Sequence, residues 1–272
     1  MNPYQRALNN LRTQNPLVHH LTNYVTVNDC ANITLAIGGS PIMADDLEEV
    51  AAITELAQAV VINIGTLNAR TVEAMVLAGK KANQLGIPVI LDPVGAGASA
   101  LRNQTLARLL AEVHFAVIRG NLSEIRFLAG FASVNQGVDV SPADLLTVQD
   151  SQAVAQQLAL ARQAVVVITG KVDVVSDGLQ VALIDNGHPT MSRITGTGCM
   201  LSSLLGSFCG SQKDYFSASV AATLALGISG EIAHEKTQHQ GTGSFRVALL
   251  DAVSQLTPTT MEQRGRLQIV KA

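Results

Sequence analysis

Four short runs constrain this chain more than any other feature: "AVVINIG" (59–65), "IPVILDPVG" (87–95), "FAVIRGN" (115–121) and "AVVVITG" (164–170). Each is almost continuously apolar and rich in Val and Ile. A strand with one face in water alternates apolar with polar residues, whereas a strand covered on both faces need not. The runs therefore predict strands sandwiched between helices. The stretches between them, such as "NARTVEAMVLAGKKANQLG" and "SALRNQTLARLLAEV", have helical spacing. Strand, helix and strand in succession give right-handed crossovers and a mostly parallel sheet.

After Lys171 the pattern changes. "VDVVSDG" and "LQVALIDNG" are two alternating runs separated by a glycine turn, which predicts a hairpin and a small antiparallel extension. Beyond Gly198 the chain reads as largely helical to about Gln255. Neither a linker nor a fixed-period repeat interrupts it, so residues 1–272 read as one α/β domain.

Composition narrows the function. Of 272 residues, 47% are apolar and 14% charged, enough for a large core but sparse cover for a surface. That shortage of charge hints at a face buried against another subunit. Net charge is −3, there is no Trp, and only three Tyr and six Phe are available for stacking, so nucleic-acid binding lacks its electrostatic and aromatic footprint. The scattered Cys30, Cys199 and Cys209 suit neither a disulfide framework nor a zinc site. The polar, amphipathic "MNPYQRALNNLRTQNP" lacks the apolar core of a signal peptide. The run "SASVAATLALGISGEIA", broken by Ser and Gly and carrying Glu231, reads as a buried helix rather than a membrane span. The expected location is the cytoplasm.

The strand-like runs end in polar or glycine-rich turns: Gly65-Thr66, Asp92-Pro93, Arg119-Gly120-Asn121 and Thr169-Gly170-Lys171. In an open parallel sheet, ligands bind beyond the carboxyl ends of the strands. Residues far apart in sequence thus gather on one rim. Asp92 and Glu124 offer carboxylates for a hydrated Mg²⁺, Arg119 a cation for phosphate, and Thr169 a hydroxyl. Further on, "ITGTGCMLSS" places Gly196 and Gly198 where a turn opens a helix. Free backbone N–H groups at such a helix start form an anion site. The spacing is that of neither a Walker loop nor a dinucleotide fingerprint. A helix start also lowers the pKa of a neighbouring thiol in general, so Cys199 is either an inert small hydrophobe or a base beside a bound anion.

At these residues the chain resembles a known family. "RGNLSE" resembles the NxxE signature of the ribokinase-like superfamily, and "GTGC" stands where many of those kinases carry GxGD. "HHLTNYVTVNDCAN", "GGSPIMADDLEEV", "NIGTLN", "LDPVGAGAS", "VITGKVDVVSDG" and "ITGTGCMLSS", in order from about Leu17 to Gly210, resemble hydroxyethylthiazole kinases of thiamine biosynthesis. The resemblance implies a ribokinase-like three-layer α/β/α sandwich. It also implies phosphorylation of the primary alcohol of 4-methyl-5-(2-hydroxyethyl)thiazole, with ATP as co-substrate and Mg²⁺ as cofactor, by a homotrimer whose substrate pocket lies at a subunit junction. By position, Asn23, Val25, Met43 and Gly196 would bind the thiazole. Arg119, Asn121 and Thr169 would bind ATP, and Asp92 and Glu124 would organise Mg²⁺. Gly196, Thr197 and Gly198 would form the anion hole, with Cys199 as the catalytic base. The wider superfamily's usual base is Asp. A carboxylate is ionised at neutral pH and an ordinary thiol mostly is not. Phosphoryl transfer depends mainly on positioning and charge neutralisation, so a weaker base is tolerable.

Each residue also has a plainer explanation. Asp92 could form the turn before Pro93, Glu124 could be the N3 residue of a capping box, and Met43 could be ordinary core. His19 and His20 tempt a metal reading, but neighbours on a strand point to opposite faces. The acids of "DDLEEV" need only a helix start as explanation, and the second GTG, Gly241 to Gly243, reads as a junction between helices. Three rival functions remain: a kinase for a related vitamin precursor such as hydroxymethylpyrimidine, a nucleotide-dependent dehydratase of hydrated NAD(P)H, and a non-catalytic sensor. The dehydratase would be expected to keep Asp where Cys199 stands, and the sensor to lack Asp92, Glu124 or Arg119.

Overall fold

The computed structural model describes residues 2–130 and 148–271. Its centre is a nine-stranded sheet in the order β2-β1-β3-β4-β5-β6-β7-β8-β9. The four continuous runs form β3 (Ala59–Asn63), β4 (Val89–Asp92), β5 (Val117–Asn121) and β6 (Val165–Thr169). With β1 (Leu17–Leu21) and β2 (Ser40–Met43) they make the parallel part of the sheet. The expected hairpin is β7 (Asp173–Ser176) and β8 (Gln180–Ile184), antiparallel to β6 and to each other. A last antiparallel strand, β9 (Leu267–Lys271), closes that edge.

Helices cover both faces, and alternate strand residues show why the runs had to be apolar throughout. Val18, Val61, Ile90, Val117 and Val167 point to one face, where they meet α1 (Pro3–Gln14), α2 (Val27–Ile37), α8 (Thr197–Gly210), α9 (Tyr215–Thr237) and α10 (Thr242–Ser254). Val60, Ile62, Leu91, Ile118 and Val166 point to the other, against α4 (Ala69–Leu85), α5 (Ala100–Glu112) and α7 (Val148–Arg162). Short α3 (Val50–Leu56) and α6 (Leu122–Leu128) complete that layer, and α11 (Pro258–Arg264) packs with α1 and α9. Three layers of α, β and α result, as the runs and the resemblance imply.

Local chemistry sets the helix ends. Asn68 caps α4 by accepting from the Thr71 N–H, and Gly86 ends it in the left-handed conformation that non-glycine residues resist. Helix α9 is long and apolar enough to cross a membrane by length and composition, and it lies buried in the core layer. Gly241 is the N-cap of α10, so the second GTG joins two helices. His19 and His20 take opposite faces. Nε2 and Nδ1 of His19 meet the Ala44 carbonyl and the Thr54 hydroxyl, while His20 Nδ1 meets the Val18 carbonyl. The acids of "DDLEEV" precede α3 as a turn, with Asp45 and Asp46 paired to Arg70.

Candidate active site

The glycine turn opens α8 beyond the carboxyl ends of the parallel strands. Gly196 sits at φ +88°, and a Cβ there would lie 2.9 Å from Thr26 Cγ2. Both facts require glycine. The first intrahelical bond runs from the Met200 N–H to the Gly196 carbonyl at 2.8 Å. Among the described residues nothing accepts from the amides of Thr197, Gly198 and Cys199. Three N–H donors at the positive end of a 14-residue helix therefore remain for a ligand. At Gly198, a Cβ would meet Arg119 Nη1 at 2.6 Å, so this glycine lets the guanidinium lie against the turn.

Arg119 projects from β5 and is nine-tenths buried. Its Nη2 donates to Thr169 Oγ1 at 2.8 Å, and Nη1 stands 3.6 Å from Asp92 Oδ2. The turn, β4, β5 and β6 thus meet at one guanidinium. Asp92 is fully buried and does more than form a turn. Its Oδ2 also accepts from Asn63 Nδ2 at 2.8 Å and Ser202 Oγ at 2.7 Å. Burial pushes the Asp92 carboxyl up, while Arg119, Ser202 and Asn63 pull it back.

Cys199 is half-buried. Asn23 Nδ2 reaches its sulfur at 3.4 Å and Asn63 Nδ2 at 3.3 Å. The structure therefore places Asn23, expected to bind the thiazole, against the thiol. Asn63 was not singled out from the sequence, although it is the last residue of a run whose carboxyl end should face the rim. Ser202, one helical turn beyond Gly198, also went unread because it looks like one more small residue in an apolar helix. Val25 is 57% exposed and Met43 ends the edge strand β2, so this chain does not enclose them.

Glu124 is indeed the N3 residue of a capping box with Asn121 at the start of α6. Its Oε2 accepts from the Asn121 N–H at 2.8 Å and its Oε1 from the Gly95 N–H at 2.9 Å, so it ties together the loops after β4 and β5. The donors suit a hard cation that keeps most of its water. Asp92 Oδ1 is a buried oxygen without a partner, and each Glu124 oxygen has further acceptor capacity. Among the described residues no cluster of three metal-binding side chains exists, so such an ion would complete its shell with water and ligand oxygens.

A cleft of about 540 Å³ opens on the Arg119 side of the turn. Arg119, Thr169, Thr197 and Gly198 line its polar end, while Met191 and Leu226 line an apolar stretch. His188, on the cleft wall, stacks on His234 with ring centroids 3.4 Å apart. Asp173, at the start of β7, accepts from the Gly170 N–H at 2.9 Å, and burial pushes its carboxyl up to about 7 against the pull of that amide and Arg119. Asn121 caps α6 and does not line this cleft. Cys199 and Asn23 do not line it either.

Comparison with known proteins identifies the family. Residues 8–259 match the Hydroxyethylthiazole kinase family. A hydroxyethylthiazole kinase of Ruminiclostridium cellulolyticum is 55% identical over 262 residues, 96% of each chain. The solved structure of the hydroxyethylthiazole kinase protein from Pyrococcus horikoshii superposes with a TM-score of 0.90 at 35% identity, covering all of both chains. A pyridoxal kinase from Staphylococcus aureus, solved with AMP-PCP and pyridoxal, shares the fold at a TM-score of 0.64 and 12% identity, over 94% of this chain and 99% of that one. With two-thirds of its length and more matched at such identity, the chain belongs to the hydroxyethylthiazole kinase family.

Proposed function

We propose that this chain transfers the γ-phosphoryl group of ATP to the hydroxyl of 4-methyl-5-(2-hydroxyethyl)thiazole, a salvage step of thiamine biosynthesis. The observation that carries the reading is the set of free amides at Thr197, Gly198 and Cys199. They stand between a nucleotide-sized cleft ending at Arg119 and a thiol backed by Asn23. Family membership supplies the identity of the acceptor.

ATP lies along the cleft with its base beside Met191 and Leu226 and its phosphates toward Arg119 and Thr169. Asn121, which the resemblance assigns to ATP, does not line the cleft and serves here as the cap of α6. Asp92 and Glu124 would hold Mg²⁺ through its water shell, and that ion would neutralise charge on the phosphates. Asn23, Val25, Met43 and the Gly196 backbone bind the thiazole so that its hydroxyl points at the phosphorus. The hydroxyl oxygen bonds to phosphorus, the bond to the bridging oxygen breaks and ADP leaves. The hydroxyl proton passes to the Cys199 sulfur in its anionic form, which becomes S–H. The amides of Thr197, Gly198 and Cys199 hold the charge on the phosphoryl oxygens through the transfer. Val25 is 57% exposed and Tyr24 79% exposed beside the substrate residues, which supports a homotrimer whose neighbouring subunit covers the thiazole. The placement in the cytoplasm follows from the same metabolic role.

An ATP-consumption assay with the thiazole alcohol, hydroxymethylpyrimidine and hydrated NADH in parallel tests the reading. Turnover with the thiazole alcohol alone is expected. Turnover with the pyrimidine alone, or with hydrated NADH alone, would overturn it. In the same assay, Cys199→Ala should lower kcat by about 10²-fold or more, as loss of a general base does, with ATP affinity nearly unchanged. An unchanged kcat would remove the thiol from the chemistry.

A further inference from the structure

Asn63 has no part in the reading above, yet its carboxamide makes four hydrogen bonds on the rim. It is 1% exposed at the end of β3. Its Oδ1 accepts from the Gly65 N–H at 2.9 Å and from Asn23 Nδ2 at 3.0 Å. A backbone N–H can only donate, so Oδ1 must face Gly65 and Nδ2 must face the other way. That side holds Asp92 Oδ2 at 2.8 Å and Cys199 Sγ at 3.3 Å. The same logic fixes Asn23. Its Oδ1 accepts from the Thr26 N–H at 3.1 Å and the Thr26 hydroxyl at 3.1 Å, which turns its Nδ2 toward Asn63 and the sulfur. Two backbone amides, at Gly65 and Thr26, thus turn both carboxamide nitrogens, rather than their oxygens, toward Cys199.

We infer that Asn63 is a positioning residue for Cys199. With Asn23 it presents two carboxamide N–H groups to the sulfur, fixes where the sulfur's acceptor face points, and holds the sulfur in its anionic form until the substrate proton arrives. Amide donors aimed at an anionic sulfur act like the donors that hold any anion, each of them pre-oriented and free of reorganisation. Asn63 also links the sulfur to Asp92 by hydrogen bonds, and Asp92 in turn accepts from Ser202 and pairs ionically with Arg119, so the proton acceptor and the phosphate-binding cation are joined through one buried carboxylate. The turn is shaped to this end. A Cβ on Gly65 would lie 2.9 Å from Asn23 Cβ, Asn23 Nδ2 and Asn63 Oδ1, so only glycine lets the two carboxamides close on each other.

The inference rests on the proposed kinase reading, and its test separates the two. Asn63→Asp keeps the acceptor for the Gly65 N–H but turns a donor into an acceptor at the sulfur. Asn63→Ala removes the donor without adding charge, in case the first variant does not fold beside Asp92. Two readouts are taken: steady-state kinetics with the thiazole alcohol, and the rate at which iodoacetamide alkylates Cys199 at fixed pH, read by mass spectrometry of its peptide. Cys30 and Cys209 are buried, so the reagent reports on Cys199. In either folded variant, alkylation should slow about tenfold, and kcat should fall at least tenfold while KM for ATP stays within about twofold. Ser202→Ala, which removes another bond to Asp92 but none to the sulfur, should leave the alkylation rate unchanged. Alkylation at the unsubstituted rate in a folded Asn63 variant would overturn the positioning role, as would equal slowing in Ser202→Ala. Absence of any phosphorylation by the unsubstituted chain would instead overturn the kinase reading, and the alkylation result would stand apart from it.

Discussion

At the scale of single residues, the rim works because two glycines and a buried arginine share one small volume. Gly198 is the sharper case, because any Cβ there collides with Arg119 Nη1 at 2.6 Å. Gly198→Ala should therefore displace the guanidinium from Thr169 and lower kcat/KM for ATP on the order of 100-fold, the scale of about an ångström of misplacement. Its thermal stability should not fall much, since Ala is the better helix former by roughly 1 kcal/mol. Activity and melting curves of that one variant check both halves. Asp173 gives a second prediction. Its ordinary carboxyl value is 3.8 and burial in the folded chain raises it to about 7. Between those values the folded chain keeps a proton that the unfolded chain has released. Stability from this group is therefore lost as pH rises through that window and levels off above it. Urea unfolding from pH 4 to 8 should show that slope, and Asp173→Asn should remove it. Much of this was legible in sequence only as residue types. Asp92, Arg119 and Thr169 could be named because they follow unmistakable strands. Asn63 and Ser202 could not, because their importance comes from bonds to residues 29 and 110 positions away.

At the scale of elements, helix α8 is the part that carries the turn, and its seat on the sheet sets where the turn stands. It crosses β1, β3 and β4. A Cβ at Gly206 would meet Val61 Cγ2 at 2.6 Å and Val18 Cγ1 at 2.9 Å, so the helix touches the strands there with no room to spare. Gly206→Ala should cost about 1–3 kcal/mol, the usual cost of overpacking, and should reduce kcat because the whole helix shifts. Denaturant midpoints and kinetics on that variant check it. At the far end, Asp29 of α2 accepts from Arg246 Nε of α10 at 2.7 Å, and its Oδ2 lies 3.5 Å from where a Gly196 Cβ would be. The turn is thus braced from beneath by two further helices. Elements with strong periodicity or continuous apolar runs were readable in advance. Strand β2, with only "SPIM" at the sheet edge, was not, because four half-exposed residues carry neither pattern. Strand β9 escaped for a related reason: it is half-exposed and short, and it is defined by pairing with β8 rather than by its own apolarity.

At the scale of the whole molecule, the low charge content and the exposed Tyr24 and Val25 belong together. A chain with 14% charged residues and bare apolar side chains beside the residues proposed to bind substrate is expected to bury that face. Sedimentation equilibrium should give three times 28.5 kDa, and Val25→Asp should both lower that mass and raise KM for the thiazole alcohol. A monomer with full activity would contradict the shared pocket. On the proposed reading, the cleft at Arg119 holds the nucleotide and the thiol of Cys199 meets the acceptor, with the three amides of the glycine turn serving the phosphoryl group between them. The most direct measurement is an amide NMR spectrum of the chain with ADP, aluminium fluoride as a phosphoryl mimic, Mg²⁺ and the thiazole alcohol. The N–H resonances of Thr197, Gly198 and Cys199 should move downfield together, as donors closing on an anion do. Resonances of those three residues left in place while others along the rim shift would contradict it.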